Sequence, residues 1–346
     1  MELRRKRHTI KEIAEHAGVA SSTVSRVLNN KVTRVAVTEE TKRRIARAVD
    51  ELGYFPNVNA RRLSSDKTFV IGLQVPGCRS SGVHAFSDHT LVETMRGVED
   101  ALGGTPYKLL LIFKDEEYVR KHEYLRLFQE KNVDGLLIWG EHDGCIYREE
   151  ILDFPVLFLN ARPGAPKSVN YIGHDNYRAG FAVTEYLLDK GRRDFLYISA
   201  NGDLSLARER NAGVAAALAA RGLELAAGKT FFGNFTLGSG FALMDKILAS
   251  GELAFDAVIC ANDSMAIGVY QAALRHGKKM PEDFALVGID GVDAFGENFC
   301  PLTTFKVDCF KLGRRAVERL FHMVEGGREA PSTELVNGEI IIRRTA

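Results

Sequence analysis

Polar side chains suited to hydroxyl recognition stand at the ends of several short apolar runs. Asn160 follows VLFL, Asn262 and Asp263 follow AVICA, and Asp290 follows LVGI. Two further candidates accompany them, Arg210 at the head of an amphipathic stretch and Phe235 in GNFTLGSG. Amide, carboxylate and guanidinium groups offer forked donors and acceptors, which matches the adjacent hydroxyls of a carbohydrate. Each residue also has a plain structural use. Asp263 can cap a helix, Asn160 can satisfy a turn, and Arg210 can pair with a surface acid.

The elements that must hold these residues are visible as pattern. Apolar runs at 69–75, 109–113, 136–139 and 156–159 read as buried parallel strands, with helices at 91–102 and 118–130 between them. The alternation then restarts. Strands at 195–199, 257–260 and 285–289 alternate with helices near 177–188, 210–220, 240–249 and 264–276. Two such sets predict two doubly wound subdomains, and ligands of such sheets bind outside the carboxyl ends of the strands, where the candidates sit. Periodicity does not show where the chain passes from one subdomain to the other.

A different chemistry is written in residues 9–29, TIKEIAEHAGVASSTVSRVLN. Ile10, Ile13, Ala14 and Ala17 recur at helical spacing between a Thr9 cap and Gly18. Val24, Val27 and Leu28 form the inner face of a second helix, which leaves Ser21, Ser22, Ser25 and Arg26 facing outward. Helix, tight turn and helix predict a helix-turn-helix, whose second helix lies in the DNA major groove. Arg26 is then the natural reader of guanine O6 and N7. Thr38, Glu39 and Glu40 open a third helix, with Ile45, Val49 and Leu52 inward and Gly53 as its stop. Lys31, Arg34 and Lys42 are candidate phosphate partners.

The runs Gly18-Val19, Thr23-Val24-Ser25-Arg26-Val27-Leu28-Asn29, Glu51-Leu52-Gly53-Tyr54 and Pro56-Asn57 resemble the LacI/GalR family of bacterial transcription regulators. The resemblance continues to the C-terminal end. It implies a small all-α helix-turn-helix domain, residues 1–56, and a hinge, residues 57–66. These precede an α/β core, residues 67–346, of two doubly wound parallel-sheet subdomains like the type I periplasmic binding proteins. Three crossings would divide that core into 67–164 with 299–328 and 165–298 with 329–346. The DNA-contact residues it implies are Thr9, Ser21, Ser22, Thr23, Ser25, Arg26, Asn29, Asn57, Arg61 and Leu63. Leu63 is the minor-groove wedge of a hinge that turns helical on DNA. The effector contacts it implies are Asn160, Arg210, Phe235, Asn262, Asp263 and Asp290, with Phe235 against a sugar ring.

The function this implies is a ligand-responsive, sequence-specific regulator. It would be a homodimeric repressor of carbohydrate-use genes on a pseudo-palindromic operator, released by a sugar. Some relatives bind a purine instead. Val307 and Cys309 stand where the lac repressor of that family has a polar and an aromatic ligand residue, and the loop 76–89 departs from the usual wording. The effector therefore cannot be copied from one relative. Ala20 also replaces the usual Ser cap of the second helix, a loss of about 1 kcal/mol unless Ser21 takes over.

Bulk properties agree with this picture. The 346 residues exceed one ordinary core. The net charge of +1 hides a basic N-terminal end: residues 1–67 hold 15 Lys+Arg against 8 Asp+Glu, and the remainder holds 31 against 37. No apolar stretch marks a secretory signal or a membrane span, which argues for the cytoplasm and against a sugar-binding transport module. Five scattered cysteines without a CxxC read as reduced thiols. No enzyme constellation, cofactor motif or metal set is expected. Gly222 to Thr230 has the wrong spacing for a phosphate loop, and Cys78, His84 and His89 fit no standard zinc pattern.

Overall fold

The computed structural model describes residues 8–28, 37–54, 67–77, 85–140, 144–200, 204–251, 254–292, 301–327 and 330–346. Two compact units divide the chain, residues 1–68 and 69–346.

In the first unit, α1 (Ile10–Ala17) opens with a reciprocal capping box. The Thr9 main-chain N–H donates to Glu12 Oε2 at 2.6 Å, and the Glu12 N–H donates back to Thr9 Oγ1 at 3.4 Å. Gly18 ends the helix at φ 63°, a left-handed conformation that suits glycine. The second helix, α2 (Ser21–Leu28), starts from Ala20, whose carbonyl accepts from the N–H groups of Thr23 and Val24. Thr38 caps α3 (Glu39–Leu52) by accepting from the Thr41 N–H. Ile13, Ala14, Ala17, Val24, Ile45, Ala48 and Tyr54 form the buried centre of this bundle.

The second unit alternates strands and helices in two six-stranded sheets. Its first half contains β1 (Val70–Pro76), α4 (His89–Leu102), β2 (Lys108–Lys114), α5 (Glu116–Arg120), α6 (Glu123–Gln129), β3 (Gly135–Trp139), β4 (Val156–Leu159) and β5 (Tyr171–His174). Then come α7 (Asn176–Asp189), β6 (Phe195–Ala200), α8 (Ser205–Ala219), β7 (Thr230–Gly233), α9 (Leu237–Ser250), β8 (Ala257–Cys260), α10 (Asp263–Arg275) and β9 (Ala285–Asp290). The last elements are β10 (Thr303–Val307), α11 (Cys309–Val324), β11 (Thr333–Val336) and β12 (Gly338–Ile341).

Sheet order is β11-β5-β4-β3-β1-β2 in one sheet and β12-β10-β9-β8-β6-β7 in the other. All pairings are parallel except β10 with β12. The central strands are buried along their length, as expected for strands covered on both faces. Three glycine-mediated helix contacts bring α4 against α11, α7 against α8 and α9 against α10. A Cβ on Gly213 of α8 would meet the Tyr177 carbonyl at 2.1 Å, and one on Gly180 of α7 would meet the Arg210 carbonyl at 2.2 Å.

Three expectations need correction. The chain crosses between sheets after β5, after β10 and between β11 and β12, in each case later than expected, because β5 and β11 belong to the first sheet and β10 to the second. These strands, YIGH, TTFKV and TELV, are short and carry polar or glycine residues, so hydropathy does not announce them. The helix expected over 118–130 is two helices, divided where His122 adopts φ 56°. Arg210 does not head its helix, which begins at Ser205.

Candidate functional site

Arg210 is the centre of a buried polar network at the carboxyl ends of the second sheet. It lies in the second turn of α8, 4% exposed, and its three bonding nitrogens reach three different elements. Nε donates to Asn176 Oδ1 at the start of α7 (3.0 Å), Nη1 donates to the Ala261 carbonyl after β8, and Nη2 donates to Asp290 Oδ1 at the end of β9 (2.9 Å). Asp290 holds its carboxylate there at φ 136°, a conformation L-residues rarely adopt.

Asp263 and Asn262 brace the same corner. Asn262 is the N-cap of α10: its Oδ1 accepts from the Met265 N–H at 2.9 Å, and its Nδ2 donates to the Phe235 carbonyl at 3.0 Å. Asp263 is wholly buried and accepts from Thr304 Oγ1 at 2.6 Å and from the Val292 N–H at 2.7 Å. The glycine at 288 makes room for it, since a Cβ there would lie 2.2 Å from Asp263 Oδ1. Phe235 enters through its backbone, at φ 64°, with its ring partly buried against the core.

Burial sets the charge states. It raises the Asp263 carboxyl to about 6 against hydrogen bonds from Thr304 and the Val292 and Gly291 amides, which favour the ionised form. Burial also raises Asp290, to about 7, with the charges of Asp263 and Asp88 adding to it and Arg210 opposing. Asp88 is the N-cap of α4, the helix that follows β1 of the first sheet. His174, at the end of β5, lies 3.6 Å from Cys309 Sγ across two of the crossings. Its pKa is lowered to about 3 by burial and then by Arg210, while a backbone bond to Val336 opposes. Burial, then Asp290 and Asp88, push the Cys309 thiol up, so it stays protonated.

Five of the six expected effector residues thus meet in one corner: Arg210, Asn262, Asp263, Asp290 and the main chain of Phe235. Asn160 stands apart, after β4 of the other sheet, at φ 67° with its carbonyl accepting from Tyr171 Oη at 3.0 Å. Asp88, His174, Asn176 and Thr304 were not picked out from sequence. Asp88 and Thr304 look like ordinary helix-cap and strand residues, and Asn176 lies next to a crossing whose position sequence did not fix. His174 was hidden in a strand that hydropathy did not reveal.

On the outer side of α2, Ser22 is exposed while Ser21, Thr23, Ser25 and Arg26 are half-buried. Arg26 folds back along its own helix, donating to the Ser22 carbonyl at 3.4 Å and to Thr23 Oγ1 at 3.2 Å. Thr9 is committed to its capping box. Lys42 pairs with Glu39 at 2.7 Å. Asn29, Lys31, Arg34, Asn57, Arg61 and Leu63 lie outside the described residues, as do Cys78 and His84.

Residues 9–57 match the family described as bacterial regulatory proteins, lacI family, and residues 184–346 match a periplasmic binding protein-like domain. The HTH-type transcriptional repressor PurR of Vibrio parahaemolyticus is 31% identical over 341 residues, covering 97% of this chain and 98% of that protein. The chain belongs to the lacI family. The ribose operon repressor of Escherichia coli K12 is 31% identical over 318 residues, covering 91% of this lacI-family chain and 93% of the relative. Among solved structures, the lac repressor dimer bound to operator and the anti-inducer ONPF superimposes with a TM-score of 0.81 at 23% identity, over 98% of this chain and 99% of that one. The transcriptional regulator CelR–cellobiose complex gives 0.69 at 27% identity, over 98% and 100%. This lacI-family member is a DNA-binding transcriptional regulator, with its helix-turn-helix in α1 and α2 and an α/β core behind it. Among the described residues, no helix is long and apolar enough to cross a membrane.

Proposed function

We propose that this regulator is a homodimeric repressor of carbohydrate-use genes, working in the cytoplasm without catalysing a reaction. A sugar entering between the two sheets would release it from a pseudo-palindromic operator. The observation that carries this reading is the buried Arg210–Asp290 pair at the strand ends, which offers a charged donor and acceptor side by side to vicinal hydroxyls. Arg210, Asp290, Asn160 and Phe235 are assigned to the effector, and Asn262 and Asp263 to holding them in place. The CelR–cellobiose complex and the ribose operon repressor support a sugar.

On the DNA side, Ser21, Ser22, Thr23, Ser25 and Arg26 are assigned to the major groove with Asn29, and Thr9 to the adjoining backbone. Asn57, Arg61 and Leu63 are assigned to the hinge on the minor groove. An apolar patch supports the dimer: Phe86 and Phe113, each 52% exposed, pack edge to face at 6.0 Å beside the edge strand β2. We take the core to divide at the crossings near 175, 308 and 337, the helix-turn-helix domain to occupy residues 1–56 and the hinge 57–66.

A purine effector is the second reading, favoured by the PurR relatives at 29–31% identity. The deciding experiment is a thermal-shift screen of sugars and purines, followed by operator binding with each hit. A ligand present at 100 times its Kd should stabilise the core by about 2.7 kcal/mol. A sugar that stabilises the core and weakens operator binding supports the first reading. A purine that strengthens operator binding replaces it.

A further inference from the structure

Phe69, the first residue of the core, has φ 56°. A bulky L side chain rarely adopts that left-handed conformation, and it persists only where the surroundings over-determine it. Here they do. The Phe69 N–H donates to Asp134 Oδ2 at 2.8 Å, its carbonyl accepts from the Lys108 N–H at 2.9 Å, and the Asp134 N–H donates to the Val70 carbonyl at 2.8 Å. Both main-chain groups of Phe69 are thus fixed, one by the lead into β3 and one by the first residue of β2.

The side chain is fixed as well. Its ring meets Tyr107 edge to face, with centroids 5.5 Å apart, and Tyr107 lies 4.8 Å from the Phe321 ring in the last turn of α11. Burial, then the charge and hydrogen bond of Asp134 and the charge of Glu325, push the Tyr107 hydroxyl up to about 12. It therefore stays protonated and donates to the carboxylate that holds Phe69. At its other end α11 begins at Cys309, 3.6 Å from His174 at the crossings, and its 16 residues span about 24 Å. One helix thus reaches from the crossings between the sheets to the rings beside Phe69.

We propose that Phe69 is the joint by which the core sets the hinge, locked by Asp134 and carried by the Tyr107 and Phe321 rings. A shift of α11 moves the rings, and the locked residue passes that movement to the chain entering the core from residues 57–66. Glycine would take the same conformation without penalty, yet it would leave the rings nothing to grip. The joint rests on the reading of residues 57–66 as a hinge on the minor groove.

The test measures the full chain on two DNAs at one salt concentration: a duplex that the parent selects from a random-sequence pool, and a mixed-sequence duplex of the same length. Asp134→Ala should weaken binding to the selected duplex by about tenfold, the effect of losing one charge-assisted hydrogen bond, and leave the mixed-sequence duplex unchanged. Asp134→Asn keeps an acceptor for the Phe69 N–H and should stay near the parent. Phe321→Leu removes the outer ring, leaves the backbone lock intact and should weaken the selected duplex severalfold. All three variants should unfold near the parent temperature. Because the joint acts through the hinge, adding Asp134→Ala to Leu63→Ala should cost little beyond Leu63→Ala alone. Parent affinity in Asp134→Ala, with Leu63→Ala weakened, overturns the joint and leaves the hinge standing. Equal losses on both DNAs, losses in Asp134→Ala and Leu63→Ala that simply add, or an Asp134→Asn variant as weak as Asp134→Ala also overturn it. Parent affinity in Phe321→Leu overturns the route through α11. A Leu63→Ala variant with parent affinity removes the hinge, and the joint with it.

Discussion

The Arg210 guanidinium donates to Asp290 Oδ1 at 2.9 Å with both side chains less than one-tenth exposed, and the two residues are 80 positions apart. This pair ties α8 to the end of β9, while the other guanidinium nitrogens tie α8 to Asn176 and to the carbonyl of Ala261. A ligand group that competes for either partner acts on three elements at once.

Removing one partner leaves the other buried and unpaired. Arg210→Met should destabilise the core by about 3–5 kcal/mol in urea unfolding. The double variant Arg210→Met/Asp290→Asn should recover part of that loss, because neither charge is then stranded. If the double variant is no more stable than the single one, the pairing is not what Arg210 contributes.

The α7–α8 contact places Arg210, and glycine permits it. Gly213→Ala puts a methyl group 2.1 Å from the Tyr177 carbonyl, so the helices must separate. Overpacking of this kind costs about 1–3 kcal/mol. Thermal unfolding should show that loss together with a weaker operator response to the effector. A variant with parent stability would mean the helices yield more easily than the contact suggests.

His174 makes stability sensitive to acid. Its folded pKa, about 3, lies below its ordinary 6.5, so the unfolded chain binds the proton first as pH falls. The penalty is absent above pH 6.5 and grows below it, reaching about 2 kcal/mol at pH 5. The raised carboxyls of Asp263 and Asp290 act in the opposite sense over part of that range, so the informative quantity is the difference between parent and His174→Gln. That difference should shift by about 2 kcal/mol in favour of the variant between pH 7 and pH 5. A pH-independent difference would show that His174 takes up a proton in the folded core.

Arg26 must leave Ser22 and Thr23 to reach a base. Arg26→Ala should lower discrimination between operator and random DNA by about 1–3 kcal/mol, measured by competition at fixed salt. An equal loss on all DNA would make it a phosphate contact.

Leu63→Ala should weaken operator binding and bending while effector affinity stays at the parent value. Unchanged operator affinity would remove Leu63 from the minor groove.

Sequence alone settled the helix-turn-helix. Its signals are local: a Thr9 cap, glycines at the ends of α1 and α3, and inward residues at helical spacing. The long apolar strands of the core were legible for the same reason, because burial on both faces writes an uninterrupted run. Short strands such as YIGH and TELV were not, since their place depends on the neighbour they pair with, Tyr171 with Thr333 and His174 with Val336.

The same division applies to the candidate site. Strand-end positions singled out Asn160, Asn262, Asp263 and Asp290, the pattern around them added Arg210 and Phe235, and the resemblance assigned all six to the effector. Only the tertiary structure separated their parts, with Asn262 and Asp263 spent on capping and on Thr304, Arg210 bound to Asp290, and Asn160 on the other sheet. The physical reason is that a hydrogen bond depends on distance and direction. Residues 80 positions apart acquire those only when helices pack and sheets align.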